Sequence, residues 1–124
     1  MGNTGGKKTV VLGASPNPAR YSYLATKRLN QAGHEVIALG LRPGMIGETP
    51  ITQGRPDIEG VDTVTLYINP SLQKDWYDYL INLHPKRILF NPGTENSELE
   101  QIAQSNNIET ERACTLVLLG TDSY

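Results

Sequence analysis

Cysteine is nearly absent from the 124 residues: Cys114 stands alone, so no disulfide can form within the chain, and a reducing compartment, the cytoplasm, is the expected location. No apolar run approaches the roughly 20 residues of a membrane span. The start, 1-MGNTGGKKTVVLGAS-15, also lacks the apolar stretch of a signal peptide. Positive charge is not in excess either. Eleven Lys and Arg stand against 13 Asp and Glu, for a formal net charge of −2. Broad nucleic-acid binding needs a basic face, so it is not expected, although a local basic pocket remains compatible with this balance. No Cys/His cluster suggests zinc, and no Gly-x-x-x-x-Gly-Lys-Ser/Thr loop is present. What remains is ordinary globular material, 38% hydrophobic and 19% charged, sized for one domain. Residues 1–7 read as a flexible lead-in and residues 8–124 as a single domain.

Apolar runs and amphipathic segments alternate along the chain. KTVVLGA, residues 8–14, reads as a buried strand ended by Gly13. Helical spacing follows over residues 21–33, with Tyr21, Leu24, Ala25 and Leu29 on one stripe and Gly33 as the stop. A second strand spans residues 35–40. The Gly- and Pro-rich stretch 41-LRPGMIGETPITQGRPDIEG-60 holds at most a small extended excursion at 45–51 and one helical turn near Asp57. A third strand covers residues 62–68. Ser71 is expected to cap a helix carrying Leu72, Trp76, Tyr79, Leu80 and Leu83, closed by Pro85. A fourth strand covers 86–91, and Ser97 with Glu100 forms a capping-box pattern ahead of inward-facing Leu99, Ile102 and Ala103. The last strand begins near Ile108, and a short helix from Cys114 to Leu119 is favoured for the tail. The order implies an α/β, three-layer αβα Rossmann-like fold with a five-stranded parallel sheet in order 3-2-1-4-5.

In such a sheet ligands bind at the carboxyl ends of the strands, where the winding reverses. That reversal is expected between strands 1 and 4, joining the loops 13-GASPNPARYS-22 and 91-NPGTEN-96, with the loops after strands 2 and 3 beside them. Lys7, Lys8, Lys86 and Arg87 precede strands and belong at the opposite end. Arg20, Arg42, Arg55 and Lys74 follow strands and belong near the crevice, where helix N-termini would add to the attraction for an anion. The dinucleotide fingerprint Gly-x-Gly-x-x-Gly is incomplete, because Ser15 and Pro18 stand where glycines would. Strand 2 also ends in 39-LGLRP-43 without the acid that would hold a ribose diol. Arg42 there disfavours NAD and suits a ribose phosphate.

The segment 11-VLGASPNPARYSYLATKRLNQAGHEV-36 resembles the Val-x-Gly-Ala-Ser-x-x-Pro-x-x-x-Ser-Tyr passage of stand-alone Rossmann-like CoA-binding domain proteins, relatives of the N-terminal domain of the succinyl-CoA synthetase α-subunit. The passages 41-LRPGMIGETPI-51, Ile68-Asn69-Pro70 and 108-IETERACTLVLL-119 add to the resemblance, which covers about residues 8–119. The chain departs from the usual pattern after strands 2, 3 and 4. The resemblance implies coenzyme A (CoA) or an acyl-CoA as cofactor. Its pyrophosphate would lie over Gly13, Ala14, Ser15, Pro16 and Asn17, near Arg20 or Tyr23. The 3′-phosphoadenosine would lie toward Leu41, Arg42 and Pro43. Ile68, Asn69 and Pro70 would border the ligand, and Asn91, Pro92 and Gly93 would meet the pantetheine.

No catalytic constellation is visible. His34 and His84 both stand at the wrong end of the sheet, and Cys114 has no evident base; a buried structural thiol is the commoner role for such a residue. A non-catalytic module for a small-molecule nucleotide ligand is therefore expected, with a homodimer left open. The alternatives are an NADP(H)-binding domain and a protein-interaction domain without nucleotide binding, which would use Trp76, Tyr77 or the long loop as its surface.

Overall fold

The computed structural model describes residues 6–124; the expected flexibility of residues 1–5 lies outside them. Lys7 is already engaged, its backbone N–H donating to His34 Nδ1 at 2.8 Å. A Rossmann-like α/β fold is present, built on a seven-stranded sheet. The strands are β1 (Thr9–Leu12), β2 (Val36–Leu39), β3 (Met45–Ile46), β4 (Thr49–Thr52), β5 (Thr63–Leu66), β6 (Arg87–Phe90) and β7 (Glu109–Arg112). Their order is β3-β4-β2-β1-β5-β6-β7, and every pairing is parallel except the β3–β4 hairpin.

The five-strand order 3-2-1-4-5 is corrected by this topology. The excursion at 45–51 is a hairpin whose second arm, β4, pairs in parallel with β2 through Ala38↔Ile51 and Leu39↔Thr52. Pro50 is tolerated because β4 takes its parallel partner only at Ile51 and Thr52. Counting β4 as the third parallel strand gives the order 3-2-1-4-5-6, the doubly wound arrangement of dinucleotide-binding folds. The strand after the long loop, β5, is thus the neighbour of β1. The winding reverses between β1 and β5, not between β1 and β6. Residues 53–62 contain no helical turn, so that expectation near Asp57 also falls.

Helices cover both faces. Helix α1 (Tyr21–Gln31) packs with α5 (Thr115–Gly120) on one side, over Val11, Ala38, Ile46 and Ile51. The buried stripe of α1 is Ser22, Ala25, Thr26 and Leu29, whereas Tyr21 is 75% exposed, contrary to its expected inward position. Small residues let the helix lie close to the sheet, and Thr26 Oγ1 is satisfied by donating to the Ser22 carbonyl at 2.9 Å. The other face carries α2 (Pro70–Gln73), a 3₁₀ turn (Lys74–Trp76), α3 (Tyr77–Asn82) and α4 (Ser97–Ser105), which close over Val10, Leu12, Val64, Leu66, Ile88 and Phe90. The caps sit earlier than the serines suggest. Asn69 caps α2 with Pro70 in the first turn, and Asn96 caps α4. Among the described residues no helix is long and apolar enough to cross a membrane.

Candidate ligand-binding cleft

A cleft of about 640 Å³ opens at the carboxyl ends of the strands, over the β1/β5 reversal. Its base is built by close backbone packing. Gly13 leaves β1 with φ +99°, and a Cβ there would stand 2.8 Å from Ile68 Cγ2 and 2.9 Å from the Tyr67 carbonyl carbon. Only glycine accepts both the torsion and the contact. Gly40, at the end of β2, is pressed as closely from the other side: a Cβ would fall 2.3 Å from the Ala14 carbonyl oxygen. The loops after β1, β2 and β5 therefore interlock around one point.

Eleven of the sixteen residues expected at a ligand line this cleft: Gly13, Ala14, Ser15, Pro16, Arg20, Leu41, Arg42, Ile68, Asn69, Pro92 and Gly93. The other five do not line it. Asn17 holds the loop itself: its N–H donates to Ser15 Oγ at 3.1 Å, and its Oδ1 accepts the Ala19 N–H at 3.0 Å. Tyr23 packs against the core under α1, and Pro70 opens α2. Pro43 is outside the lining. Asn91 is 2% exposed and serves as scaffold. Its amide donates to Thr65 Oγ1 at 2.6 Å and to the Leu66 carbonyl at 2.8 Å, while its Oδ1 accepts the Thr115 N–H at 2.9 Å. Arg55 and Lys74 are likewise outside the lining. The Arg55 guanidinium stacks over the Trp76 ring at 4.1 Å and donates to the Asp75 carbonyl at 2.9 Å.

The charge of the cleft is one-sided. Arg20 and Arg42 line it, and no carboxylate does, although acidic residues outnumber basic ones in the chain. Helix α1 adds to the attraction for an anion. Its first turn contains no acidic residue and has no side-chain cap, whereas the first turns of α2 and α4 are capped by Asn69 and Asn96. The positive end of the α1 dipole thus faces the cleft unquenched. Ser15 Oγ accepts from Asn17, which leaves its own proton free to donate. Tyr21 and Leu41, 75% and 83% exposed, supply apolar surface in the lining.

Several residues of the site carry no motif. Ala19, Tyr21, Tyr67 and Thr94 also line it, as does Ser22, the second serine of the passage that carries the family resemblance. Burial pushes the Tyr67 hydroxyl up to about 12, an effect that nearby Thr115 and Thr65 oppose. Those two hydroxyls bond each other at 2.8 Å, and the Tyr67 hydroxyl has no hydrogen-bond partner among the described residues. Gln73, fully buried, ties the far wall together. Its amide donates to the Ile68 carbonyl at 2.9 Å and to the Thr94 carbonyl at 2.8 Å, and its Oε1 accepts from Asn96 Nδ2 at 2.9 Å. The sequence signal for it was a polar residue at an inward position, one after Leu72 in a short amphipathic segment. His34 and Tyr124 meet at the opposite end of the sheet, with ring centroids 4.8 Å apart.

Set beside known proteins, residues 7–120 match the family model for a CoA binding domain. The chain belongs to the CoA-binding domain family. An uncharacterised protein of known crystal structure is 51% identical, with a TM-score of 0.95 over 98% of this CoA-binding domain chain and 100% of its own. The Thermus thermophilus protein designated cell-free ID.343 shares the fold at 22% identity, with a TM-score of 0.82 over 96% and 91% of the two chains. A hypothetical protein from Pyrococcus horikoshii OT3 does so at 23% identity, with a TM-score of 0.82 over 92% and 82%. No curated protein matches this CoA-binding domain.

Proposed function

We propose that the protein binds coenzyme A, free or acylated, in the cleft at the β1/β5 reversal and acts as a non-catalytic binding module of the cytoplasm. The observation that carries this reading is the charge of the cleft: two arginines, an uncapped helix end and no carboxylate, within an acidic chain. Such a surface suits a polyanion with an apolar portion. The pyrophosphate lies over Gly13–Pro16, where backbone can approach closely and the α1 dipole points. The 3′-phosphoadenosine lies toward Arg42, beside the exposed Leu41. The pantetheine runs along Ile68, Asn69, Pro92 and Gly93. The placement of the reactive side chains supports the non-catalytic part of this reading. His34 is occupied by the Lys7 N–H at the other end of the sheet, and Cys114 stands without a base in the sequence around it.

Calorimetric titration with CoA and with dephospho-CoA tests the reading. CoA should bind, and Arg42→Ala should weaken CoA by about ten- to a hundredfold while leaving dephospho-CoA nearly unchanged, the size of one charge-assisted contact. Heat no greater than dilution with either ligand would refute it. The 3-2-1-4-5-6 order together with Arg42 after β2 favours NADP(H) as the second reading, and a change in nicotinamide fluorescence on titration would select it.

A further inference from the structure

The two ends of the cleft differ in charge. Arg42 follows β2, and the Pro92–Thr94 wall follows β6. β2 and β6 are separated by β1 and β5, so the two stand three strand spacings apart, about 14 Å. Arg20, which follows β1, is two spacings away, about 10 Å, and both distances exceed the screening length of physiological salt, about 8 Å, so neither arginine acts strongly on charge at the far wall. The far wall itself, Ile68, Asn69, Pro92, Gly93 and Thr94, offers no cation. A fixed anion stands just outside the lining instead: the Gly93 N–H, in the lining, donates to the exposed Glu95 Oε1 at 3.0 Å. Glu98 stands close by and accepts from the Tyr77 hydroxyl at 3.0 Å. Arg112, at the end of the neighbouring strand β7, is committed to Glu100 by contacts of 3.0 and 2.7 Å and to Ser97 Oγ at 3.3 Å.

We infer that this end of the cleft selects against negative charge: it takes the free thiol or an uncharged acyl group, rejects an acyl group ending in a carboxylate, and uses Glu95 to set that preference. The inference rests on the CoA reading above and gives it a substrate class. Dicarboxylic acyl thioesters would bring their terminal carboxylate toward Glu95 with no cation on that wall to receive it. Two unit charges about 6 Å apart in water repel enough to change an equilibrium constant about threefold, and more where the wall excludes solvent.

The test compares butyryl-CoA with succinyl-CoA, which have equal chain length and differ in the terminal carboxylate. Both are titrated calorimetrically against the wild type and Glu95→Gln, at low and high salt, with CoA as reference. Succinyl-CoA should bind about threefold or more weakly than butyryl-CoA at low salt. The gap should narrow at high salt. It should also shrink in Glu95→Gln, whose amide oxygen can still accept the Gly93 N–H. Equal or tighter binding of succinyl-CoA, or a gap unchanged in Glu95→Gln, overturns the inference while CoA binding stands. Failure of CoA itself to bind overturns the underlying reading, and the inference with it.

Discussion

Replacing Gln73 with Leu removes the buried clasp between the two segments of the far wall. The side chain is fully buried and makes three hydrogen bonds, to Ile68 O, Thr94 O and Asn96 Nδ2. Leucine is similar in volume, so the change leaves unpaired polar groups rather than a cavity. The bond to Thr94 O is wholly buried, and its orphaned carbonyl costs about 1–3 kcal/mol. The other two bonds are partly buried and open to water, and Asn96 Nδ2 keeps its contact with Tyr77 Oη at 2.9 Å. Each of these adds about 0.5–1 kcal/mol. The sum is about 2–5 kcal/mol, a large part of the roughly 5–15 kcal/mol that stabilises an ordinary domain. Urea unfolding followed by tryptophan fluorescence measures it, with a lower midpoint at unchanged slope as the expected result. CoA affinity should fall as well, because Ile68 and Thr94 line the cleft. A stability loss below about 1 kcal/mol would show that these carbonyls find other partners, and would refute the clasp.

Three other perturbations probe separate parts of the structure. Gly40→Ala would place a Cβ 2.3 Å from the Ala14 carbonyl oxygen, so stability should drop by about 1–3 kcal/mol or more in thermal unfolding, with CoA affinity reduced in parallel. Tyr67→Phe deletes a buried hydroxyl without a partner and should leave stability unchanged or raise it by up to about 1 kcal/mol; a clear loss would mean that the hydroxyl is satisfied. His34 is held below its usual 6.5 by burial, then by Lys7 and Arg87, so the folded chain binds its proton less readily than the unfolded chain. Its contribution is complete above about pH 6.5 and is lost as pH falls from there toward the folded value. The unfolding midpoint should decline over that window, and the decline should be smaller in His34→Gln.

The sequence made legible what depends on local pattern. Short apolar or β-branched runs marked β1, β2, β5 and β6, and glycine or asparagine after each of the first two and the last located the loops of the cleft. The order of the strands was not legible, because it turned on four residues, Thr49–Thr52, in a stretch whose glycines and prolines read as loop. Omitting β4 shifted the reversal by one strand and put the loop after β6 where the loop after β5 belongs. Asn69, Asn91 and Asn96 show a second limit. An asparagine beside a predicted site can contact a ligand, cap a helix or brace a loop, and the three-dimensional neighbours decide which. Here Asn69 caps a helix while also lining the cleft, Asn96 caps, and Asn91 braces. Gln73 has no motif at all, because its role comes from two carbonyls that only the fold brings together.

The β3–β4 hairpin does more than widen the sheet. The segment carrying Leu41 and Arg42 is bound to it at three points: Gly40 N–H to Thr52 O at 3.1 Å, Gln53 Nε2 to Leu41 O at 2.8 Å, and Ile51 N–H to Gly44 O at 2.9 Å. Its backbone is therefore preorganised, and a guest molecule need restrict only the torsions of the arginine side chain. Little ordering entropy would oppose capture on that side, and recognition there would work more like a fitted key than a closing hand.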